Sequence, residues 1–463
     1  MGRRLVTISD LHMSAPPLDD FDSEIEGKFG DFLSELGSHS EQVELVINGD
    51  FLDFVQAPPY EGDALESVSS AEGLSLCFTE SQSLEKLQAI YKAHSAVFSA
   101  LRNFLAAKPD NEITLLPGNH DADLFWTGVQ SSLQQTLGTS GSGRFRIHAE
   151  RVYQPTYFPG VWIEHGHQFD KINSFFIGQF ESWSAKNPPI LKDKRGRPRL
   201  LECLGTRFMI RFLNGLDEVY PYVDNVKPFS LFIRLFATSA LVSGYASIQV
   251  AMTMWHLLSY LARSGITGPS DLLAIEGEPL DLSNVLRDRL RELNERSRIL
   301  QDRVHLAGFR TDLPLSLVLD DAARAKDLME FLGEHTELMD GLDEEDEGYL
   351  SISGGEGTLS LARGFKIDES RELMVGAKKI LSTSDATLVI MGHTHEPLDR
   401  PGNVSYINTG SWTRYYQGTD SDQLRSWSVL KAGQNNQFPY SLKYAEVSSE
   451  DVEQAQLKEY GVR

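Results

Sequence analysis

Five short apolar runs in this sequence each end in a polar cluster that can bind a metal ion. The runs are rich in Val, Ile and Leu, which is typical of buried β-strands, and helical patterns lie between them. Strands that alternate with helices build layered α/β domains, and ligands bind such sheets at the carboxyl ends of the strands. We therefore predict that the five clusters meet at one site. The runs occupy residues 5–9, 43–47, 112–116, 161–164 and 387–391.

The five clusters supply carboxylate, imidazole and amide groups but no thiol. Such ligands suit Mn, Fe, Zn or Mg rather than a zinc site built from cysteines, and the chain has only Cys77 and Cys203. The donors are too many for one tetrahedral metal and fit two metals that share a carboxylate. Two cations about 3.5–4 Å apart can polarise a phosphoryl oxygen and activate a bridging hydroxide for in-line attack on phosphorus. The clusters are residues 10–12, 48–53, 117–121, 165–167 and 392–395.

The rest of the chain gives weaker signals. Two further strands are predicted at residues 404–407 and 427–431, and helices at residues 83–107, 282–304 and 321–339. Residues 171–379 show few strand signals, so we predict a mainly helical region there. Residues 192–199 are strongly basic and contain Gly196 and Pro198, which indicate a loop. Residues 340–347 are an acidic run that we interpret as a solvated loop.

The net charge limits the partners of the chain. Its 463 residues include 43 Lys and Arg against 66 Asp and Glu, a formal charge of −23. This charge disfavours long nucleic acid, although bound metals can reverse its sign locally. The first residues lack the apolar stretch of a signal peptide, so we expect a cytoplasmic protein. Residues 235–262 carry no Asp, Glu, Lys or Arg, and buried helices, a homodimer surface and peripheral membrane contact remain open for them.

The order of the clusters resembles the signature of the calcineurin-like metallophosphoesterase superfamily. The matching motifs are D-x-H at 10–12, G-D-x-x-D at 49–53, G-N-H-D at 118–121, H-G-H at 165–167 and G-H-x-H at 392–395. The resemblance covers residues 1–170 and about 380–435. It implies an αββα sandwich core, split between residues 1–170 and 380–445. Residues 171–379 would then form a large, mainly helical insertion that caps the site, and residues 446–463 a C-terminal tail.

The resemblance also implies a role for each matching residue. Asp50 would bridge two divalent metal ions, of which Mn²⁺ is favoured over Fe, Zn and Mg. His120 would contact the phosphoryl oxygen or protonate the leaving oxygen, and Asp121 would orient His120. His167 and Asp53 would support the ligands rather than bind metal. The remaining ligands would be Asp10, His12 and His395 for the first metal, and Asn119, His165 and His393 for the second.

The motifs leave the substrate open. The stretches around residues 48–54, 165–170 and 408–412 are similar to those of bacterial phosphoesterases related to UDP-2,3-diacylglucosamine diphosphatases. Those enzymes typically carry Arg at the position of His120 and Asp at that of His167. We therefore expect a phosphodiester, pyrophosphate or nucleotide-type substrate, either small or lipid-linked. A metal-dependent DNA or RNA nuclease with the same site is the alternative, and a non-catalytic scaffold is a third hypothesis.

Overall fold

A computed structural model of the chain provides the structure. It describes residues 2–59, 68–71, 73–139, 141–170, 172–175, 184–217, 220–227, 273–275, 278–279, 282–296, 299–335, 338, 359–361, 369–417, 429–430 and 438–461. The chain forms two compact units. The first unit comprises Met1–Asn225, Asp368–Tyr416 and Ala432–Arg463, and the second comprises Val226–Ile367 and Gln417–Lys431. The sequence placed the corresponding boundaries at residues 170 and 380.

The strands are short and most of them fall in the first unit. They are β1 Arg3–Ile8, β2 Gln42–Asn48, β3 Val68–Ser69, β4 Ser75–Leu76, β5 Glu112–Leu116, β6 Phe145–Ile147, β7 Val161–Ile163, β8 Ile190–Lys192, β9 Pro198–Leu200, β10 Val226–Lys227, β11 Leu273–Ile275, β12 Glu278–Pro279, β13 Leu359–Leu361, β14 Leu388–Met391, β15 Leu398–Asp399, β16 Tyr406–Asn408, β17 Tyr416–Gln417, β18 Lys443–Ser448 and β19 Asp451–Glu459.

The α-helices are α1 Ser23–Ser38, α2 Glu80–Ala93, α3 Ser95–Ala107, α4 Thr127–Thr136, α5 Leu204–Phe208, α6 Asn214–Asp217, α7 Leu282–Arg296, α8 Ile299–Leu306, α9 Leu315–Asp320, α10 Ala322–Glu334 and α11 Glu369–Thr383. Side chains fix several of their first turns. The Asp22 carboxylate accepts hydrogen bonds from two backbone N–H groups of α1, and Thr79 and Gln82 form a capping box at the start of α2.

Two β-sheets organise the first unit. The six-stranded sheet has the order β19-β18-β1-β2-β5-β6, with β1, β2, β5 and β6 parallel. The four-stranded sheet has the order β15-β16-β14-β7, with β7, β14 and β16 parallel. The five runs that the sequence singled out are β1, β2, β5, β7 and β14, each within two residues of its predicted bounds. The parallel arrangement places the carboxyl ends of neighbouring strands at one edge of each sheet.

A shared hydrophobic core joins the two sheets. Leu5, Val46 and Leu116 of the six-stranded sheet pack in one cluster with Ile163 and Ile390 of the four-stranded sheet. A second cluster packs α11 against the four-stranded sheet. Burial of this apolar surface is the main force that holds the layers together. The unit is therefore an α/β structure with both parallel and antiparallel pairing, as the alternation of strands and helices predicted.

Three predicted elements differ in the structure. The single helix at residues 83–107 is two helices, because the chain breaks at His94, whose ring is bonded to Asp19 and Glu26. Residues 446–463 are not a tail, because β18 pairs with β1 and β19 pairs with β18 to extend the six-stranded sheet. The predicted loop at residues 192–199 is only partly correct, because residues 193–197 connect β8 to β9 whereas Lys192, Pro198 and Arg199 belong to these strands.

Further differences concern the bounds of the weaker elements. The strand predicted at residues 404–407 is β16, and the helices predicted at 282–304 and 321–339 are α7 with α8 and the shorter α10. The strand at 427–431 is wrong at Val429 and Leu430, which are helical, and its other residues lie outside the described part. The second unit also contains an antiparallel sheet, β12-β11-β13, which the sequence did not predict.

Two predicted segments, residues 235–262 and 340–347, lie outside the described residues. Among the helices that the structure describes, none combines the length and the apolar character needed to cross a membrane.

Candidate metal centre

Seven predicted metal ligands and His120 come together in the first unit. Strand β1 leads into Asp10 and His12, β2 into Asp50 and β5 into Asn119, while β7 and β14 lead into the three remaining ligand histidines. The residues come from the carboxyl ends of five parallel strands in two sheets, as the sequence predicted. We call the group the candidate metal centre: Asp10, His12, Asp50, Asn119, His165, His393 and His395.

One half of the centre consists of Asp10, His12 and His395. Each offers one ligand atom, and these atoms lie within 4.8 Å of one another. His12 Nε2 and His395 Nε2 are 2.9 Å apart, and His395 Nε2 is 3.4 Å from Asp10 Oδ1. Two ring nitrogens that converge beside a carboxylate form a donor set that suits a divalent transition metal.

Asp50 connects this half of the centre to the other. Its Oδ2 lies 3.1 Å from His165 Nε2 and 3.8 Å from His12 Nε2. It forms a second group with His165 and His393, again with the ligand atoms within 4.8 Å of one another. Asn119 adds a side-chain oxygen that is buried and accepts no hydrogen bond from the described residues. A buried oxygen without a hydrogen-bond donor, next in sequence to His120, whose N–H bonds to Asp50, fits a metal ligand, so the donor set fits a pair of cations.

Hydrogen bonds leave one nitrogen of several histidines available for metal. His165 Nδ1 lies 2.7 Å from the carbonyl oxygen of Asn48, which leaves Nε2 to face Asp50. His12 Nδ1 lies 3.0 Å from Asp53 Oδ2. His393 Nε2 lies 3.0 Å from Asp170 Oδ2, which leaves Nδ1. Such partners fix the tautomer and the ring orientation of a ligand. Sequence analysis missed Asp170, although it follows the H-G-H cluster by three residues.

The partner of His120 is Asp53 and not Asp121. His120 Nδ1 lies 2.7 Å from Asp53 Oδ2, so the predicted role of Asp121 in orienting His120 is wrong. Asp121 instead accepts hydrogen bonds from the backbone N–H groups of Gly118, Asp50 and Phe51. Those amides belong to the turns that follow β2 and β5. Asp121 therefore holds these two turns together rather than acting on the imidazole.

Strained backbone conformations concentrate at the centre. Eight non-glycine residues have positive φ in the part of the chain that the structure describes, and five of them are predicted ligands. Each such conformation costs about 1–3 kcal/mol and persists only where the surroundings enforce it. The five ligands are Asp10 (φ 55°), His12 (47°), Asp50 (48°), His393 (71°) and His395 (56°).

Two motif glycines let the ligands approach closely. A Cβ atom at Gly118 would overlap the Asp50 carboxylate, and one at Gly392 would overlap Asp10. The glycine in each motif is therefore required by close packing against a predicted ligand on another strand.

Opposite charges dominate the electrostatics of the centre. Burial lowers the pKa of His165, but the carboxylates of Asp50 and Asp10 outweigh it and raise the pKa to about 9. Burial raises the pKa of Asp50, but His165 and His120 outweigh it and hold the pKa well below its ordinary value. Burial and the neighbouring Asp50 raise the pKa of Asp121 to about 7. Metal ions would displace the protons that the ring nitrogens carry, so binding should release protons.

Comparison with models of protein families and with curated proteins gives no match to this chain.

Proposed function

We propose that the chain is a two-metal phosphoesterase, with Mn²⁺ as the favoured ion and an αββα sandwich core like that of the calcineurin-like metallophosphoesterases. The observation that carries the proposal is the convergence of five strand ends on one aspartate, Asp50, which lies between two groups of donors. Two bound divalent cations would supply charge stabilisation for a phosphoryl group and an activated water. An acidic chain with two cysteines also suits the cytoplasm.

The positions of the seven side chains suggest which of two cations each would bind. Asp10, His12 and His395 would hold one cation, Asn119, His165 and His393 the other, and Asp50 would bridge them. These seven side chains fix the place where a phosphoryl group binds.

His120 is suited to protonate the leaving oxygen. Its side chain is 16% exposed, so a substrate can reach it. Burial lowers its pKa, but the carboxylates of Asp53 and Asp50 outweigh burial and raise the pKa above the ordinary value. Because Asp53 accepts the Nδ1 proton, the Nε2 proton is the one that His120 can give to the leaving group.

The substrate we propose is a small or lipid-linked phosphodiester, pyrophosphate or nucleotide. A nuclease remains the second candidate because the hairpin β8–β9 exposes Lys192, Lys194 and Arg195. Asp193 accepts hydrogen bonds from the side chains of Arg197 and Arg199, so only part of the basic hairpin is free of carboxylate contact. The net charge of −23 opposes long nucleic acid and keeps this candidate second.

The decisive experiment combines metal analysis with turnover of bis-p-nitrophenyl phosphate by the full-length chain in Mn²⁺. We expect about two metal ions per chain and turnover that Asp50→Asn abolishes. His305→Ala is the matched control, because it removes an exposed imidazole outside the centre. Absence of turnover with every divalent metal, or turnover that survives Asp50→Asn, would refute the proposal.

The same preparation separates the alternatives. Cleavage of single- or double-stranded DNA or RNA at a rate above that of the model diester would favour the nuclease. A metal content below about one ion per chain would favour a non-catalytic scaffold, since the bridging site needs two.

A further inference from the structure

A second group of carboxylates lies in the first unit and contains no histidine. Asp20, Asp217 and Asp224, which we call the acidic trio, each place one carboxylate oxygen within 4.8 Å of the other two. They come from the loop before α1, the end of α6 and the turn after α6. Asp20 is 6% exposed and Asp217 is 4% exposed, so water solvates neither charge. Buried carboxylates of this kind need a compensating positive group.

Asp20 and Asp217 have no compensating positive group among the described residues. Neither carboxylate forms an ion pair with a described residue. His94 contacts Asp19 and Glu26 instead, and Arg414 contacts Asp22 and Glu24.

Asp217 carries an unused acceptor. Its Oδ1 is buried and has no hydrogen-bond partner among the residues that the structure describes, and its Oδ2 lies 3.5 Å from Gln56 Nε2, a long contact. The backbone N–H groups of Tyr222 and Val223 favour the ionised form but do not outweigh burial. A buried carboxylate oxygen without a donor costs free energy in a folded protein unless an ion or water binds it. This orphaned oxygen belongs to a group whose members already converge, so it indicates a ligand rather than a chance arrangement of acids.

Amide groups hold the other two carboxylates in place. Gln56 Nε2 donates a hydrogen bond of 2.9 Å to Asp224 Oδ2, and Asn225 Nδ2 donates to Asp20 Oδ2. Burial and the neighbouring carboxylates raise the pKa of both Asp20 and Asp217 well above its ordinary value. A bound cation would offset the repulsion among these carboxylates and favour their ionised form.

We propose that Asp20, Asp217 and Asp224 bind a hard divalent cation, Ca²⁺ or Mg²⁺, through oxygen alone, at a site distinct from the candidate metal centre. Carboxylate oxygens are the preferred ligands of both ions. Ca²⁺ fits the site better, because Mg²⁺ usually keeps several waters and the carboxylates here are mostly buried. The absence of nitrogen and sulfur from the trio disfavours Zn²⁺.

The cation would also steady the candidate metal centre. Gln56 donates its backbone N–H to Asp53 Oδ1 at 2.8 Å and its side-chain amide to Asp224. Asp53 in turn contacts both His12 and His120. An ion at the trio fixes Gln56, and Gln56 fixes Asp53.

Metal stoichiometry tests this inference directly. The full-length chain is stripped with a chelator, reloaded with two equivalents of Mn²⁺ and dialysed against Ca²⁺ or Mg²⁺. We expect one additional Ca²⁺ or Mg²⁺ per chain, and a loss of affinity for that ion of at least about 10-fold in Asp217→Asn. We also expect Ca²⁺ in large excess to raise the Tm of the wild type by about 3 °C or more.

The controls keep a folding defect apart from a binding defect. In chelator, Asp217→Asn should have a Tm equal to or above that of the wild type, because a buried amide needs neither a proton nor a counter-ion. Asp110→Asn, which removes an exposed carboxylate elsewhere, should bind Ca²⁺ as the wild type does. The inference fails if no ion binds beyond the Mn²⁺ pair, or if Asp217→Asn binds it unchanged. Asp50→Asn should keep this site, so its behaviour is independent of the proposed phosphoesterase activity.

Discussion

The candidate metal centre and the acidic trio both bury aspartates, but their surroundings shift the pKa in opposite directions. At the centre, histidines face Asp10, Asp50 and Asp53, and the pKa of each carboxylate falls in spite of burial. At the trio, burial and the other carboxylates act together, and the pKa of Asp20 rises. The chain can thus neutralise the first group with its own side chains, whereas the second depends on protons or on an ion from solution.

The largest effect is expected from His120→Ala, which removes an imidazole that lies next to the centre and is not a proposed ligand. Turnover of the model diester should fall about 10²–10⁴-fold, because the leaving oxygen loses its proton donor. Metal content, measured on the same sample, should stay at the wild-type value. A loss of metal would instead show that His120 is a metal ligand. His120 would then belong to the centre together with the histidines that face Asp50.

Asp53→Asn should have the next largest effect, because it removes the carboxylate that orients His12 and His120. We expect turnover or metal affinity to fall about 10–100-fold, as for other residues that support metal ligands. Asp121→Asn is the informative partner, because Asp121 contacts backbone amides and not the imidazole. If both variants lose the same activity with unchanged stability, the assignment of His120 to Asp53 is incorrect.

Gly118→Ala tests whether the close packing at the centre limits stability. The new Cβ would overlap the Asp50 carboxylate, so the free energy of unfolding in urea should fall by about 1–3 kcal/mol. Gly30→Ala is the control, because a Cβ in that part of α1 meets nothing within 4 Å. It should raise stability by up to about 1 kcal/mol through helix propensity. If both variants change the free energy of unfolding equally, the turn after β5 can shift to accommodate the added Cβ atom without cost.

The smallest effect is expected at His94. This histidine contacts two carboxylates at a place where we propose no metal ion. Burial lowers its pKa, but Asp19 and Glu26 outweigh burial and raise it. A group with a raised pKa stabilises the fold below its unfolded pKa, and this contribution disappears as the pH rises through the folded pKa. His94→Gln should reduce the fall in unfolding free energy between pH 5.5 and 8.5 by up to about 1 kcal/mol. An unchanged pH dependence would contradict this pairing.

Sequence patterns predicted those strands in which nearly every consecutive residue is buried. Strands such as β2 and β5 are apolar runs between turn residues, so their positions follow from composition alone. The hairpin β18–β19 escaped prediction because its buried residues alternate with polar ones and only one of the nine residues of its second strand is buried. Such strands resemble a polar tail until a neighbouring strand pairs with them.

The same contrast applies to the site. The ligands could be predicted because each follows a strand within a few residues, and parallel strands bring their ends together. The exchange of roles between Asp53 and Asp121 could not, because it depends on which side chain turns towards the amides of the β2 and β5 turns. The acidic trio joins residues about 200 positions apart, and no local pattern connects Asp20 with Asp217.

The left-handed conformations at Asp10, His12, Asp50, His393 and His395 also set a direction for engineering. Glycine adopts these conformations without strain, but glycine at any of the five positions would leave the buried groups that face the lost side chain without a partner. Every such replacement would remove a proposed ligand. Stabilising substitutions are therefore best sought on the outer helices, where Gly30 of α1 has free space around it, and the strand ends are best left untouched.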